Sequence, residues 1–175
     1  MKKSGWILSF VALALLPSCS GWWDEDNGYY SEWATSFFFG NSFGDISTFH
    51  LDIKEGYTWD EEELNSGCEI YLELKCPPVE SRQLPSGQYM VSDNPEQFYT
   101  VQKSRYIHSV SSYIGLLDDG EEKMRIKAIE SGVVRIDRTG DDEYSVKIDV
   151  IAAGGHYNYT YRGYIWAVDC TNGGQ

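Results

Sequence analysis

The chain has 175 residues, of which 27 are acidic and 14 are lysine or arginine, so its formal net charge is -13. This length suits one domain with its own core, and 42% hydrophobic and 15% aromatic residues are too many for a wholly disordered chain. The acidic balance argues against non-specific nucleic-acid binding, because contacts to phosphates need a basic surface. We therefore expect an acidic, aromatic-rich globular domain with no nucleic acid among its partners.

The N-terminal residues have the pattern of a secretion signal. Two lysines precede an apolar run, 7–16, which is too short to span a bilayer but suits the apolar region of a signal peptide. The next residues, Leu16-Pro17-Ser18-Cys19, resemble the bacterial lipobox, although Pro17 departs from the small residue usual there. The resemblance implies cleavage after residue 18 and acylation of Cys19, which anchors the protein to the membrane. An ordinary signal peptide with a chance cysteine is the alternative.

An acidic cluster, Asp24-Glu25-Asp26, follows the cysteine closely. It resembles the surface-export signal of Bacteroidetes lipoproteins, although its acids begin five residues after Cys19, later than in the usual pattern. The resemblance implies an outer-membrane lipoprotein that faces the cell exterior. A plain hydrophilic tether is the alternative.

These features divide the chain into three parts. We assign 1–18 to a lipoprotein signal peptide, 19–44 to a lipid-anchored, aromatic-rich tether, and 45–175 to the folded domain. A purely flexible tether would contain few aromatic residues, so we expect part of this segment, 33–43, to pack onto the domain or to add an edge strand.

From residue 46 onward, apolar and polar residues alternate, which is typical of strands with one buried face. Nine strands are predicted within 49–53, 68–76, 88–92, 97–103, 105–116, 123–128, 133–138, 144–150 and 157–168. Turn residues separate them, including Ser131-Gly132 and Gly154-Gly155. Because short connections leave little room for crossover helices, we predict an all-β fold: an antiparallel β-sandwich of about eight or nine strands, with a β-barrel as the alternative.

The stretch 123–166 carries a further resemblance. Its hairpin residues, among them Ser131-Gly132, Gly154-Gly155 and Gly163, resemble the closing meander of small β-sandwich surface lipoproteins of gut Bacteroidetes. The resemblance covers about a quarter of the chain. It implies the fold and the location, and it brings no catalytic residues, because most such relatives have no established activity.

Three cysteines remain for the domain once Cys19 is set aside. Cys68 and Cys76 lie roughly 26 Å apart on one predicted strand at ~3.3 Å per residue, and a disulfide needs Cα atoms within about 7 Å. We predict a disulfide between Cys76 and Cys170, because Cys76 ends its strand, with Cys68 as a buried free thiol. The alternative is that all three thiols are free.

The sequence offers no recognisable catalytic or metal-binding motif. It has no HExxH pair or P-loop, and its cysteines lack the close spacing of a zinc site. We interpret His50, His108 and His156 as solvent-facing or turn residues. We therefore assign no catalytic residue, no metal and no cofactor.

The last predicted strand suggests a function. If Tyr157, Tyr159 and Tyr161 fill the core, the opposite face of that strand carries a candidate ligand strip of polar and aromatic residues: Asn158, Arg162, Tyr164 and Trp166. Aromatic rings on a β-sheet can stack on sugar rings. The alternative is that the aromatic N-terminal segment covers Tyr164 and Trp166.

Our first hypothesis is a non-enzymatic, membrane-anchored surface lipoprotein that binds a glycan or a protein partner. A structural component of the envelope or of adhesin assembly is the alternative. A glycoside-processing enzyme ranks below both.

Overall fold

The computed structural model describes residues 31–41, 45–57, 64–103, 111–118 and 123–171. The predicted signal peptide, 1–18, and Cys19 lie outside these ranges, as does His108. Within the described ranges there are nine strands: β1 Ser31–Asn41, β2 Ser47–Tyr57, β3 Leu64–Cys76, β4 Gly87–Ser92, β5 Thr100–Gln102, β6 Tyr113–Leu117, β7 Arg125–Arg138, β8 Glu143–Ala152 and β9 Gly155–Asp169. The prediction of an all-β fold with eight or nine strands is confirmed.

The nine strands form one sheet in the order β2-β1-β9-β8-β7-β4-β5-β3-β6. Each end strand of this order also pairs with a second strand of the sheet: β2 pairs with β3, and β6 pairs with β7. Hydrogen bonding is therefore continuous around a closed sheet. This is the pairing of the barrel alternative, and it differs from two separate facing sheets.

Strand direction departs from the antiparallel prediction at two places. The pairs β1–β9 and β4–β5 run parallel, whereas the other pairings are antiparallel. Only antiparallel neighbours can be joined by a two-residue turn, and β1 and β9 are the first and last described strands. No turn connects them, so a local pattern cannot reveal their relative direction.

Strand β1 lies within the segment 19–44 that the sequence analysis sets apart from the domain. It pairs with β2 on one side and with β9 on the other, so it is an internal strand and not an edge. Its inward residues Ala34 and Phe38 are buried, and the Phe38 ring centroid lies 4.8 Å from that of Phe49 on β2. The sheet therefore includes β1 as a full member.

The turn predicted at Ser131-Gly132 does not occur, because strand β7 runs through these residues. The strand continues through these residues, and its pairing with β8 shifts register between Ile129 and Ser131, as at a bulge. Gly132 has φ +130°, and a Cβ there would lie 2.3 Å from the Asp149 carbonyl oxygen. Only glycine fits, and the irregularity falls where β7 exchanges its partner β6 for β4.

The core fills the interior of the closed sheet. Along β8, Tyr144, Val146, Ile148 and Val150 are buried while the residues between them point outward, which confirms the alternation predicted for this strand. Burying each such large side chain stabilises the fold by about 1.5–3 kcal/mol. The outward faces of the strands are left to carry function.

Candidate functional site

Strand β9 separates its side chains as the sequence predicts. Tyr159 and Tyr161 are buried and Tyr157 is half-buried against the core. Their hydroxyls are paired: Tyr159 donates to Glu32 Oε1, Tyr161 donates to the Tyr164 carbonyl, and Lys127 bonds to the Tyr157 hydroxyl. Because these hydroxyls are hydrogen-bonded, burying them does not leave an unpaired polar group in the core. The inward orientation of this face of β9 is therefore compatible with its tyrosines.

The candidate strip lies on the outward face of β9. Asn158 and Arg162 are exposed, Tyr164 is 68% exposed and Trp166 is 75% exposed. Trp166 lies opposite Thr35 of β1, which runs beside β9 within the same sheet. Strand β1 therefore flanks Trp166 without covering it, whereas the aromatic residues before β1 in the alternative interpretation lie outside the described residues.

A shallow open pocket adjoins this strip. It has a volume of about 510 Å³ and is lined by polar and aromatic residues: Thr139, Glu143, Tyr144, Ser145, Arg162 and Gly163. The register of β8 and β9 places Ser145 opposite Arg162 and Glu143 opposite Tyr164. The pocket is open to solvent and offers polar groups to a ligand that lies across the outward face of the sheet.

Tyr164 lies opposite Glu143, one of the residues that line this pocket. A hydrogen bond to the Glu143 carboxylate, and the negative charge of that carboxylate, raise the pKa of Tyr164 above its ordinary value. The phenol therefore stays neutral at physiological pH, and its hydroxyl is directed towards β8. The ring retains an exposed face.

A second group of aromatic side chains occupies the outward face of β1, β2, β3 and β6. Its members, which we call the aromatic ladder, are Phe39, His50, Tyr71 and Tyr113. Successive ring centroids lie 4.3, 5.3 and 5.4 Å apart, and the Tyr71 and Tyr113 rings are stacked with an interplanar angle of 16°. Such cross-strand aromatic pairs stabilise sheets.

Hydrogen bonds occupy the polar atoms of this ladder. Tyr71 bonds to His50 Nδ1, and the Tyr113 hydroxyl donates to Glu69 Oε1 at 3.0 Å. Burial lowers the pKa of His50, whereas burial and nearby carboxylates raise the pKa of Tyr71 to about 12. The neutral imidazole thus accepts a hydrogen bond from the Tyr71 hydroxyl, and His50 is not the solvent-facing residue that the sequence indicated.

Asp52 lies next to the ladder on the same outward face, two residues after His50 on β2. It is opposite Thr35 and Tyr71 in the two neighbouring strands, and it is only 8% exposed. Burial raises its pKa to about 6, although the Lys54 ammonium 3.2 Å from Oδ2 lowers it. Its Oδ1 has no hydrogen-bond partner. Asp52 is therefore a desolvated carboxylate in a packed surface.

The predicted disulfide is absent. Cys68, Cys76 and Cys170 are free, and Cys68 and Cys76 are buried. Cys76 lies opposite Ser47 on β2, whereas the Cys170 amide donates to the Phe38 carbonyl on β1. Two strands thus lie between the cysteines, and at about 4.8 Å per strand this exceeds the ~7 Å that a disulfide bridges.

Metal-binding geometry is also absent from the part of the chain that the structure describes. No group of three or more His, Cys, Asp or Glu side chains there could hold a metal ion. The remaining described histidine, His156, is exposed and bonds to Asp149.

Comparisons with known proteins return no relative: no family model, no curated protein and no solved structure matches the chain. Within the described ranges, no helix is long and apolar enough to cross a lipid bilayer.

Proposed function

We propose that this protein is a lipid-anchored surface module that binds a glycan through the outward face of β9, without catalysing a reaction. The observation that carries the proposal is the exposure of two aromatic rings, Tyr164 and Trp166, side by side on one strand face. They are two residues apart, so their Cα atoms are about 6.6 Å apart.

In their exposed positions, these rings contribute little burial free energy to the stability of the fold. Burying a large apolar side chain contributes about 1.5–3 kcal/mol, and this strand forgoes that contribution at two neighbouring sites. Single exposed apolar residues are ordinary, but an adjacent pair beside a polar pocket is typical of a binding surface. Tyrosine and tryptophan are also the residues that most often dominate binding energy.

A glycan fits the chemistry of this face. Sugar rings present apolar C–H faces that stack on aromatic side chains and hydroxyls that exchange hydrogen bonds with polar ones. Tyr164 and Trp166 supply the aromatic surface, and Arg162, Ser145 and Glu143 supply donors and acceptors at the pocket. Asn158 lies further along the same strand face and can extend these contacts.

Attachment to the membrane is part of the proposal. The lipobox-like Leu16-Pro17-Ser18-Cys19 supports acylation of Cys19, and the acidic cluster behind it supports display on the outer membrane facing the exterior. An acidic surface is repelled by anionic lipid, so the acyl group would provide the membrane attachment. Replacing Cys19 with alanine should release the protein into the soluble fraction, and retention of the variant in the membrane fraction would refute the anchor.

The binding proposal is tested by screening the full-length chain on a glycan array and measuring each hit by titration calorimetry. We expect Trp166→Ala to weaken binding of the hits at least about fivefold, because one stacked ring contributes about 1–3 kcal/mol. Phe98→Ala is the matched control, since Phe98 is also an exposed aromatic residue but lies in the connection between β4 and β5. If no glycan binds, or if both variants bind as the wild type does, the proposed function is wrong.

A further inference from the structure

Three cationic side chains lie together at the candidate strip, and one of them, Arg162, belongs to it. Arg135 of β7, Lys147 of β8 and Arg162 of β9 are all exposed on the outward face of the sheet. We call them the cation row. They stand out because the whole chain has a net charge of -13.

Strand register places these three charges close to one another. Arg135 lies directly opposite Lys147, a position that brings Cβ atoms to about 4.5–5.5 Å. Lys147 is opposite Thr160, so Arg162, two residues further on, is its diagonal neighbour at about 7–8 Å. Like charges in direct opposition destabilise a sheet, so the fold itself provides no reason for this arrangement.

Among the described residues, no carboxylate forms an ion pair with the row. Elsewhere among the described residues, four cations form ion pairs with carboxylates: Lys54, Lys75, Arg125 and Arg138. No member of the cation row has such a pair within the described ranges, and Arg135 donates only to the neutral Gln88 side chain at 3.2 Å.

Three carboxylates share this face with the row, and two of them interact with other residues. Glu143 interacts with Tyr164, and Asp149 bonds to His156. Asp137 lies opposite Ser145 and diagonal to Lys147, and it forms no ion pair with the row. The three cations thus lie next to one another, without an ion pair to these carboxylates, and beside two exposed aromatic rings.

We propose that the glycan bound at this face is acidic, with a carboxylate or sulfate group held by the cation row while a sugar ring stacks on Tyr164 or Trp166. This inference rests on the proposed function and specifies its ligand class. Guanidinium groups match planar oxyanions with paired hydrogen bonds, and Arg162 both belongs to the row and lines the pocket beside Tyr164. Arg162 therefore joins the charged and the aromatic parts of the site.

Titration calorimetry on the full-length chain tests this ligand class. The probes are oligogalacturonate, which bears carboxylates, a heparin oligosaccharide, which bears sulfates, and a neutral malto-oligosaccharide of similar length. We expect at least one acidic probe to bind at least tenfold more tightly than the neutral probe, and its affinity to fall as salt is added. Vesicles of phosphatidylglycerol distinguish a lipid phosphate from a glycan acid, and they should not bind the chain after Cys19→Ala.

Variants then locate the anion. The double variant Lys147→Gln with Arg162→Gln should weaken binding of the acidic probe at least tenfold, because each charge-assisted hydrogen bond is among the stronger polar contacts. Lys123→Gln is the control, since Lys123 is exposed but lies before the start of β7 and outside the cation row. Retention of the wild-type unfolding midpoint in the double variant will show that any loss of binding is not a loss of fold.

The outcomes separate this inference from the proposed function. If neutral and acidic probes bind alike and the double variant binds as the wild type does, while Trp166→Ala loses binding, the acidic ligand class is wrong and glycan binding stands. If vesicles bind and oligosaccharides do not, or if no probe and no arrayed glycan binds, both proposals fail.

Discussion

Two outward faces of the same sheet carry aromatic side chains, and they use them in opposite ways. In the aromatic ladder of β1, β2, β3 and β6, each ring contacts the next and the hydroxyls are bonded. On β9, Tyr164 and Trp166 are more than two-thirds exposed. The ladder therefore contributes to the stability of the fold, whereas the β9 strip is available for a ligand.

The difference shows that an outward aromatic residue is not evidence of binding until its neighbours are known. Tyr71 faces outward on β3 just as Trp166 does on β9, but it is stacked against Tyr113 and bonded to His50. In such a stacked pair, one face of each ring is covered by the other ring and is closed to a sugar. Four predictions test this division, in order of the expected effect.

The largest effect is expected from Tyr71→Ala, at the centre of the ladder. The change removes a stacked pair and the partner of His50, and it should lower the free energy of unfolding by about 2–3 kcal/mol. Urea denaturation measures this. Tyr71→Phe keeps the ring and loses only the hydroxyl, so it should cost about 1 kcal/mol. Equal stability of wild type and Tyr71→Ala would mean that the ladder does not support the fold.

The next effect concerns Asp52, whose pKa of about 6 in the folded state exceeds the ordinary 3.8. Between these values the folded state holds a proton that the unfolded state has released, so this group makes stability fall as pH rises from 4 to 6. The difference of about two pKa units corresponds to roughly 2–3 kcal/mol.

Asp52→Asn should remove this dependence. The variant should equal the wild type near pH 4 and exceed it in stability at pH 7, as measured by urea denaturation at each pH. Because His50 titrates in both proteins, the difference between them isolates Asp52. A wild type that is the more stable protein at pH 7 would contradict the raised pKa.

A smaller effect on stability is expected from Trp166→Ala on β9. Exposed side chains without packed neighbours usually change the free energy of unfolding by no more than about 0.5 kcal/mol. Thermal or urea unfolding of the variant checks this. A loss as large as that of Tyr71→Ala would place Trp166 among the structural aromatic residues and remove the basis for the strip.

The smallest effect, and one of opposite sign, is expected from Lys147→Gln. The change relieves the repulsion from Arg135 directly across the strand pair and should raise the free energy of unfolding by about 0.2–1 kcal/mol at low salt. The gain should shrink at high salt, where the charges are screened. Destabilisation by this substitution would indicate that Lys147 has a structural role.

Local alternation in the sequence predicts much of this molecule. Most strands other than β1 and the continuous β7, the burial of Tyr159 and Tyr161, and the exposure of Arg162, Tyr164 and Trp166 follow from a period of two. Each of these depends only on neighbours along one strand, which is why one sequence suffices. The candidate strip was predicted for the same reason.

Features that depend on pairing between distant strands were not predictable in this way. The ladder joins residues from Phe39 to Tyr113, and the opposition of Arg135 and Lys147 becomes visible only when the β7–β8 register is known. Gly132 resembles a turn residue because turns and bulges both favour glycine with positive φ. The closing parallel pair of β1 and β9 has no local pattern at all.

The measurement that most directly tests the central claim compares Tyr71→Ala and Trp166→Ala in two assays, urea denaturation and titration with an array-derived glycan. We predict a crossed result. Tyr71→Ala lowers stability but, without urea and at a temperature at which the variant is folded, it binds as the wild type does. Trp166→Ala keeps its stability and loses binding. If Trp166→Ala binds normally, or if both variants lose stability and binding together, the division between a structural ladder and a binding strip is wrong.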